Sequence, residues 1–372
     1  MPDGFEIFLA APPGLEPLLR AEAAAAGFGD PKAVPGGVTT TGGWPEVWRA
    51  NLELRGASRV LARLAAVRAL HLAQLDKRAR KLAWGDTLRA EVPLRLDVTT
   101  RKSRIYHAGA ARARIAAAIR DTLGAPVPED PPEDAVTLKV RIEDDLCTVS
   151  VDTSGAPLHR RGAKQQVNAA PMRETLAALF LRAAGYSGTE PVLDPMCGSG
   201  TFVLEAAEVA MHLAPGRARA FAFERLATFD PAAWTALKAA LQPQGTTIRF
   251  LGSDRDAGAV AMSRANAARA GVAGVTDFQQ GAISDLRRPD GPPGLVIVDP
   301  PYGARLGEAA KLRPLYAALG RVLLERFDGW RVALVTTDGS LAAATGLPFG
   351  PPGPPVPHGP LRVRLWQTVP LP

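Results

Sequence analysis

The sequence predicts a two-part chain: a mostly parallel α/β domain in the second half, preceded by a basic α+β region. Three observations predict it. From Ala170 onward, short apolar runs alternate with helical stretches, a rhythm that demands right-handed crossovers and parallel strands. Two of those apolar runs end in turn motifs 105 residues apart, Asp194-Pro195-Met196-Cys197-Gly198-Ser199-Gly200-Thr201 and Asp299-Pro300-Pro301-Tyr302-Gly303. Residues 55–120 hold 16 Lys and Arg against four acids, so that segment is +12 while the rest of the chain is −5, within a total of +7.

The first half reads as follows. Phe5–Leu9 alternates like a strand, and Pro12-Pro13-Gly14 breaks it. Leu15–Gly27 is an Ala-rich amphipathic helix stopped by its glycine. Gly36-Gly37 makes a turn into the Thr-rich strand Val38–Thr41. Trp44–Asn51 has helical spacing, and Ser58–Leu64 reads as a strand. Leu72–Ala83 carries its basic residues on one helical face, Leu94–Thr99 alternates, and Arg112–Leu123 is a helix closed by Gly124. Thr137–Ile142 and Cys147–Asp152 form a hairpin around Glu143-Asp144-Asp145. Gly155–Asn168 is short of apolar residues and reads as a linker.

In the second half, the helix Met172–Ala184 ends at Gly185 and the strand Val192-Leu193 feeds the glycine turn. The helix Thr201–His212 follows. Thr246–Leu251 is a strand ending in Gly252-Ser253-Asp254, and Ala257–Ala270 is a helix with Gly271 behind it. Val275–Gln279 and Leu295–Val298 are strands, Lys311–Phe327 a helix, and Arg331–Thr336 a strand. Residues 348–360, rich in Pro and Gly, make a turn before Leu361–Thr368 closes the sheet.

Composition narrows the class. The length, 372 residues, exceeds one ordinary core, and 47% apolar content is that of a globular protein. The two cysteines, Cys147 and Cys197, form no C-x-x-C pair, which argues for a reducing compartment. The histidines are scattered, without metal-ligand spacing, so no metal site is expected. The N-terminus lacks the basic-then-apolar pattern of a signal peptide, and no apolar run approaches the ~20 residues of a membrane helix. A cytoplasmic protein is expected, with a polyanion as partner for its basic segment.

The motifs suggest a chemistry. In parallel α/β sheets, ligands sit beyond the carboxyl ends of the strands, where Asp194, Asp254 and Asp299 all fall. Gly198 and Gly200 permit tight curvature and close backbone approach to a nucleotide-like ligand. Asp194 can accept from an ammonium group, and the following helix N-terminus favours a carboxylate. Asp254 is placed either for ribose hydroxyls or, like Asp256, for capping the next helix. In Asp299-Pro300-Pro301-Tyr302, the carboxylate and the Pro300 carbonyl can accept from the N–H groups of a planar exocyclic amine. Two prolines stiffen that carbonyl, and Tyr302 can stack on the base. Together the turns point to methyl transfer from S-adenosylmethionine to an exocyclic base nitrogen.

Leu158-His159-Arg160-Arg161-Gly162, Ala170-Pro171-Met172-Arg173-Glu174-Thr175-Leu176-Ala177-Ala178 and the Asp194–Thr201 run resemble the THUMP-domain class I RNA methyltransferases. Ala214-Pro215-Gly216 with Phe221-Ala222-Phe223-Glu224 is similar to the branch that forms N2-methylguanosine in large-subunit (23S) ribosomal RNA. Ala11–Glu16, Arg49-Ala50-Asn51-Leu52 and Lys102-Ser103-Arg104-Ile105-Tyr106-His107 fit that branch too, so the resemblance spans nearly the whole chain. It implies a ferredoxin-like region over residues 1–54, a THUMP RNA-binding domain over 55–154, a linker over 155–168 and a Rossmann-like methyltransferase domain over 169–372.

By this resemblance, S-adenosylmethionine would be held by Pro171, Arg173, Glu174, Thr175, Asp194, Met196, Cys197, Gly198, Ser199, Gly200, Thr201, Asp254, Arg255, Ala282 and Ile283. Asp299, Pro300, Pro301 and Tyr302 would serve the reaction. Structured RNA would be gripped by Arg101, Lys102, Arg104, His107, Arg160, Arg161 and Lys164. Two positions depart from the family pattern. Gly281 is followed by Ala282 where relatives carry an acid, so Asp285 or backbone would have to meet the adenine amino group. Asp299 stands where many relatives carry Asn. A transfer-RNA guanine methyltransferase, an adenine-N6 DNA methyltransferase and a non-catalytic RNA-binding assembly factor are the competing readings.

Overall fold

Two seven-stranded sheets organise the chain. The computed structural model describes residues 4–162, 172–302 and 308–372, with backbone alone for 308–310. The polypeptide clusters into two units. One holds residues up to Ala11, Arg20–Leu158 and Arg219–Leu241; the other holds Pro12–Leu19, His159–Ala218 and Gln242–Pro372.

The first unit is built from β1 (Phe5–Ala10), α1 (Glu16–Ala25, which runs in from the second unit), β2 (Gly29–Val34), β3 (Gly37–Gly42), α2 (Trp44–Glu53), β4 (Arg59–Arg68), α3 (Leu72–Ala79), β5 (Leu94–Arg101), α4 (Ala108–Leu123), β6 (Val136–Glu143) and β7 (Leu146–Asp152). Its sheet order is β2-β3-β1-β4-β7-β6-β5. β4 joins the two parts, pairing antiparallel with β1 on one side and β7 on the other. β5 and β6 run parallel in register Leu94 to Val136, with α4 as the crossover between them. Alternation on β6 buries Leu138, Val140 and Ile142 and turns Lys139 and Arg141 outward.

The second unit holds α5 (Glu174–Ala183), β8 (Val192–Asp194) and α6 (Thr201–Ala210). The chain then makes α7 (Pro231–Ala239), which packs in the first unit, and returns through β9 (Phe250–Asp254), α8 (Ala257–Ala270), β10 (Thr276–Gln280), β11 (Leu295–Val298), α9 (Glu308–Arg326), β12 (Arg331–Thr336), α10 (Gly339–Ala344), β13 (Val356–His358) and β14 (Leu361–Gln367). The order β10-β9-β8-β11-β12-β14-β13 is parallel as far as β12 and antiparallel after it. β11 reads Leu-Val-Ile-Val because both its faces are covered; all four residues are buried. Trp330, Tyr316, Phe327, Val322 and Leu323 form one core with Val296 and Leu334 beneath α9. α9 comes close to α10, with Gly320 facing the Thr345 carbonyl so tightly that an added Cβ would lie 1.7 Å from its oxygen.

Several elements differ from the sequence expectation. β2 was not expected: its Asp30-Pro31-Lys32 composition is that of an edge strand, largely exposed, and it pairs with β3 alone. β9 starts at Phe250 rather than Thr246 and runs on through Asp254. α7 and α10 form in stretches given no element from sequence, β13 lies within the turn expected over 348–360, and α3 stops at Ala79, before a short 3₁₀ turn at Trp84–Asp86. α4 begins four residues early because the His107 ring caps it, accepting from the Ala110 N–H at 3.1 Å. The segment Arg219–Leu241, taken from sequence as part of the second domain, builds an aromatic cluster in the first unit. Phe223 lies 5.1 Å from Phe221 and from Trp234, with Phe229 and Trp48 around them.

Candidate active site

Three strand ends meet at one cavity in the second unit. Its volume is about 580 Å³, and its wall includes Asp194, Asp254 and Asp299 from the carboxyl ends of β8, β9 and β11. The topology dictates the place. The sheet reverses its building direction between β8 and β11, and the adjacent loops diverge there to leave a crevice.

The loop after β8 owes its shape to its glycines and its neighbours. Gly198 (φ 54°) and Gly200 (φ 85°) sit in left-handed conformations, which L side chains rarely adopt. The Cys197 N–H donates to the Ser253 carbonyl at 2.9 Å, the Ser263 hydroxyl to the Gly198 carbonyl at 2.9 Å, and the Asn266 amide to the Ser199 carbonyl at 3.1 Å. Gly252 lets β9 pass beneath this loop: a Cβ there would lie 2.6 Å from the Phe278 ring and 3.1 Å from Cys197 Cβ. α6 begins directly after Gly200 with no side-chain cap, so its first N–H groups are open to an anionic ligand group.

Asp254 and Asp256 divide the work that sequence alone left open between them. Asp256 is the helix cap, accepting from the Gly258 N–H at 2.7 Å. Asp254 instead braces the glycine loop, accepting from the Gly198 N–H at 3.0 Å and the Asp256 N–H at 3.0 Å. Each carboxylate oxygen keeps a second lone pair for a ligand.

The electrostatics favour a cationic guest. Asp194 is buried, and desolvation pushes its carboxyl well above the usual carboxylate range. The Met196 N–H opposes that shift, while the nearby Asp299 and Asp254 add to it. Asp299 is partly exposed as a residue, yet its Oδ1 is shut off from solvent and has no hydrogen-bond partner among the described residues. Burial raises its carboxyl to about 7, against a lowering hydrogen bond from the Tyr302 hydroxyl. Buried carboxylates this close together are relieved by a positive charge placed among them. The Cys197 thiol, on the same wall, is pushed far up by burial first and Asp194 second, which keeps it un-ionised.

Of the residues expected to hold a cofactor, Asp194, Met196, Cys197, Gly198, Ser199, Thr201, Asp254, Arg255, Ala282 and Ile283 line this cavity. Gly200 shapes the loop without lining the cavity. Arg173, Glu174 and Thr175 lie outside it: Thr175 is buried in α5, and Glu174 borders a separate small cleft with Arg161 and Glu205. Asp299 and Pro301 reach the cavity; Pro300 does not. Tyr302 is a correction. It does not face the cavity but packs against the core under α9, its hydroxyl held by Asp299. Asp285 is exposed and absent from the wall, which Gly281, Ala282 and Ile283 line instead. Met172, Phe202, Leu312 and Leu315 also line the wall and were not foreseen. Only their helical spacing was visible in sequence, and it reads equally well as core.

The basic candidates separate in the same way. Arg101, Lys102, Arg104 and His107 are exposed in the first unit, His107 also serving as the α4 cap. Arg160 is exposed. Arg161 is the second correction: it is buried and paired with Glu205 and Glu208 on α6, with Glu208 also engaged by Arg217 at 2.7 Å, so its charge is spent inside the protein. Lys164 and Pro171 lie outside the described residues.

A family profile described as the RMKL-like methyltransferase domain matches residues 161–347, half of the chain, and one for the RlmL ferredoxin-like domain matches residues 6–61. The ribosomal RNA large subunit methyltransferase K/L of Chromohalobacter salexigens is 35% identical over 92% of this chain and 49% of its own length. The chain spans about half the length of the curated relatives it matches. Among solved structures, a protein inferred to be a methyltransferase and complexed with S-adenosylhomocysteine is 26% identical. It covers 100% of both chains with a TM-score of 0.85. A protein of Listeria monocytogenes, inferred to be an N6-adenine-specific DNA methylase, is 28% identical. It covers 98% of this chain and 96% of its own, with a TM-score of 0.86.

Proposed function

The chain belongs to the RMKL-like methyltransferase family, and from that premise we propose that it transfers a methyl group from S-adenosylmethionine to N2 of a guanine in large-subunit ribosomal RNA. One observation carries the reading. Asp299, a carboxyl largely removed from solvent, lines a cavity that two further strand-end acids, Asp194 and Asp254, also line.

That cavity fits the cofactor by charge and by shape. When bound, S-adenosylmethionine supplies an activated methyl group on a sulfonium centre, and its cations suit a wall carrying Asp194, Asp254 and Asp299. Asp254 offers its free lone pairs to ribose hydroxyls. The glycine loop lets backbone approach closely, and the α6 N-terminus favours the cofactor's carboxylate. Met172 and Phe202 provide apolar wall.

Asp299 faces the other reactant. An exocyclic amine conjugated to a purine ring is a weak nucleophile. An N–H donated to the Asp299 carboxylate makes the nitrogen more pyramidal and aims its lone pair at the methyl carbon. The nitrogen must shed a proton once it carries the methyl group. A carboxyl titrating near 7 is matched to take it at neutral pH. Tyr302, donating to the same carboxylate, fixes its orientation. The rest of the effect is positioning, which can supply most of such an acceleration. The target base reaches this cavity by leaving its stack.

The experiment is direct transfer. Protein and methyl-labelled S-adenosylmethionine are incubated with ribosomal RNA, transfer RNA and DNA, and the digested nucleosides are identified by mass spectrometry. N2-methylguanosine in large-subunit RNA alone is the expected result. Label in transfer RNA or as N6-methyladenine would replace the proposed substrate. Asp299→Ala should lower transfer by more than about 100-fold while leaving RNA affinity within twofold. A matching loss of RNA binding would refute the role given to Asp299.

A further inference from the structure

The connection between β5 and α4, residues 102–107, presents an aromatic ring to solvent. Tyr106 is 83% exposed, whereas its neighbour Ile105 is 4% exposed and anchors the loop in the core. The loop is tied at several points. The Thr100 hydroxyl donates to the Tyr106 carbonyl at 2.9 Å, and the Ser103 hydroxyl to the Arg101 carbonyl at 2.8 Å. The Arg104 N–H donates to Asp145 Oδ1 at 2.8 Å, and the Asp145 N–H to Ser103 Oγ at 3.1 Å. His107 then opens α4 as its cap. Lys102 turns the chain at φ 45°. A ring held out by so many ties has already lost the backbone freedom that binding would otherwise remove.

The surroundings of the ring select its partner. Arg101 and Arg104 keep side-chain exposures of 66% and 72%, and Lys102 is exposed between them. The nearby carboxylates are committed. Glu143 is shared by Arg101 at 3.4 Å and by Arg141, and Asp145 is engaged by the Arg104 backbone and lies 3.9 Å from its Nε. Asp144, the remaining acid of that turn, is exposed. Ala69 donates to the Asp145 carbonyl at 2.9 Å, which brings Leu70, 41% exposed, to the same end of the sheet. An accessible π face that closely follows Arg101, Lys102 and Arg104 in the chain matches the chemistry of a single strand, an open base with its neighbouring phosphates. A duplex hides its base faces and offers such a ring nothing to stack on.

We propose that Tyr106 is a stacking platform for an unpaired RNA base, in a subsite on the first unit apart from the catalytic cavity, with Arg101, Lys102 and Arg104 holding neighbouring phosphates. The inference rests on the RNA reading above and adds to it a place where unpaired RNA is told from duplex.

The test compares a fluorescein-labelled unstructured RNA of about 12 nucleotides with an RNA duplex of the same length, a span within the usual site size of single-strand binders. Tyr106→Ala should weaken binding of the single strand by about 5- to 150-fold and change duplex binding less than twofold. Tyr106→Trp should restore single-strand affinity. The salt slope should persist in Tyr106→Ala, because the phosphate contacts stay. Circular dichroism of each variant checks the fold. Unchanged single-strand affinity in a folded Tyr106→Ala would overturn the proposal, as would equal losses on both RNAs. If Tyr106→Ala matched wild type on both RNAs but failed to bind ribosomal proteins, the ring would belong to a protein contact instead. Methyl transfer by the wild type separates the two readings: transfer to RNA with no effect of Tyr106→Ala removes this subsite alone. A wild type that neither methylates nor binds RNA removes the proposed function with it.

Discussion

Replacing Asp299 by Asn keeps an acceptor oxygen at the cavity wall and removes the titration. Burial holds this carboxyl at about 7 in the wild type. At pH 5.5 about 3% of it is ionised, and at pH 8.5 about 97%. If only the carboxylate accepts the amine N–H and takes the departing proton, kcat/KM should rise about 30-fold across that range. The inflection should fall near 7, since kcat/KM reports the free enzyme. With S-adenosylmethionine saturating, the cation beside Asp299 should move the inflection in kcat downward. Asp299→Asn should retain transfer at a reduced rate and show no inflection at that position. The assay is initial-rate transfer of labelled methyl to RNA at half-unit pH steps from 5.5 to 8.5 for both proteins. A flat wild-type profile, or an Asn variant with the same step, would refute the argument from burial to function.

Three further outcomes follow from the same geometry. Asp299 binds a proton in the folded protein that it releases in the unfolded chain. Its contribution to stability is therefore full below about 4 and lost as pH rises through about 7. Asp299→Asn should become more stable than wild type by up to about 4 kcal/mol at pH 8.5, the gap narrowing at pH 5.5 in denaturant titrations. Gly320→Ala would place a methyl group 1.7 Å from the Thr345 carbonyl oxygen. Since backbone cannot yield cheaply, it should cost about 3 kcal/mol or more, read as early melting of the second unit or insoluble expression. Replacing Arg101, Lys102 and Arg104 together by Ala should weaken RNA binding and reduce the slope of log K against log salt by about 2 to 3; an unaltered slope would remove these residues from the phosphate contacts.

Much of the cavity at the strand ends was legible in the sequence because its determinants are local. A strand that ends in Asp-Pro-x-Cys-Gly-Ser-Gly turns where it does because Gly198 and Gly200 alone supply the left-handed conformations needed. The acids at 194, 254 and 299 mark strand ends whichever way the chain packs. Ambiguity began where one residue type serves two ends. Asp254 and Asp256 read alike in sequence; only the approach of the Gly198 N–H gave Asp254 to the loop and left the cap to Asp256. Tyr302 shows the limit of motif reading. An aromatic beside a reactive turn reads as a stacking residue, yet here its half-buried ring packs against the core and its hydroxyl anchors the carboxylate.

By itself, then, the sequence determined the order of most of the strands and helices, the two turn motifs at the carboxyl edge of the parallel sheet, and the split between a basic and a mildly acidic part, all set by periodicity, glycine and charge within short windows. Tertiary structure alone decided where long-range partners lie. Arg161 left the RNA-binding set because Glu205 and Glu208, more than forty residues away, enclose it. Arg219–Leu241 joined the first unit because Phe221, Phe223, Phe229 and Trp234 bury their rings together with Trp48. Charges and aromatic rings have no intrinsic address along a chain; their burial depends on partners that folding brings from a distance.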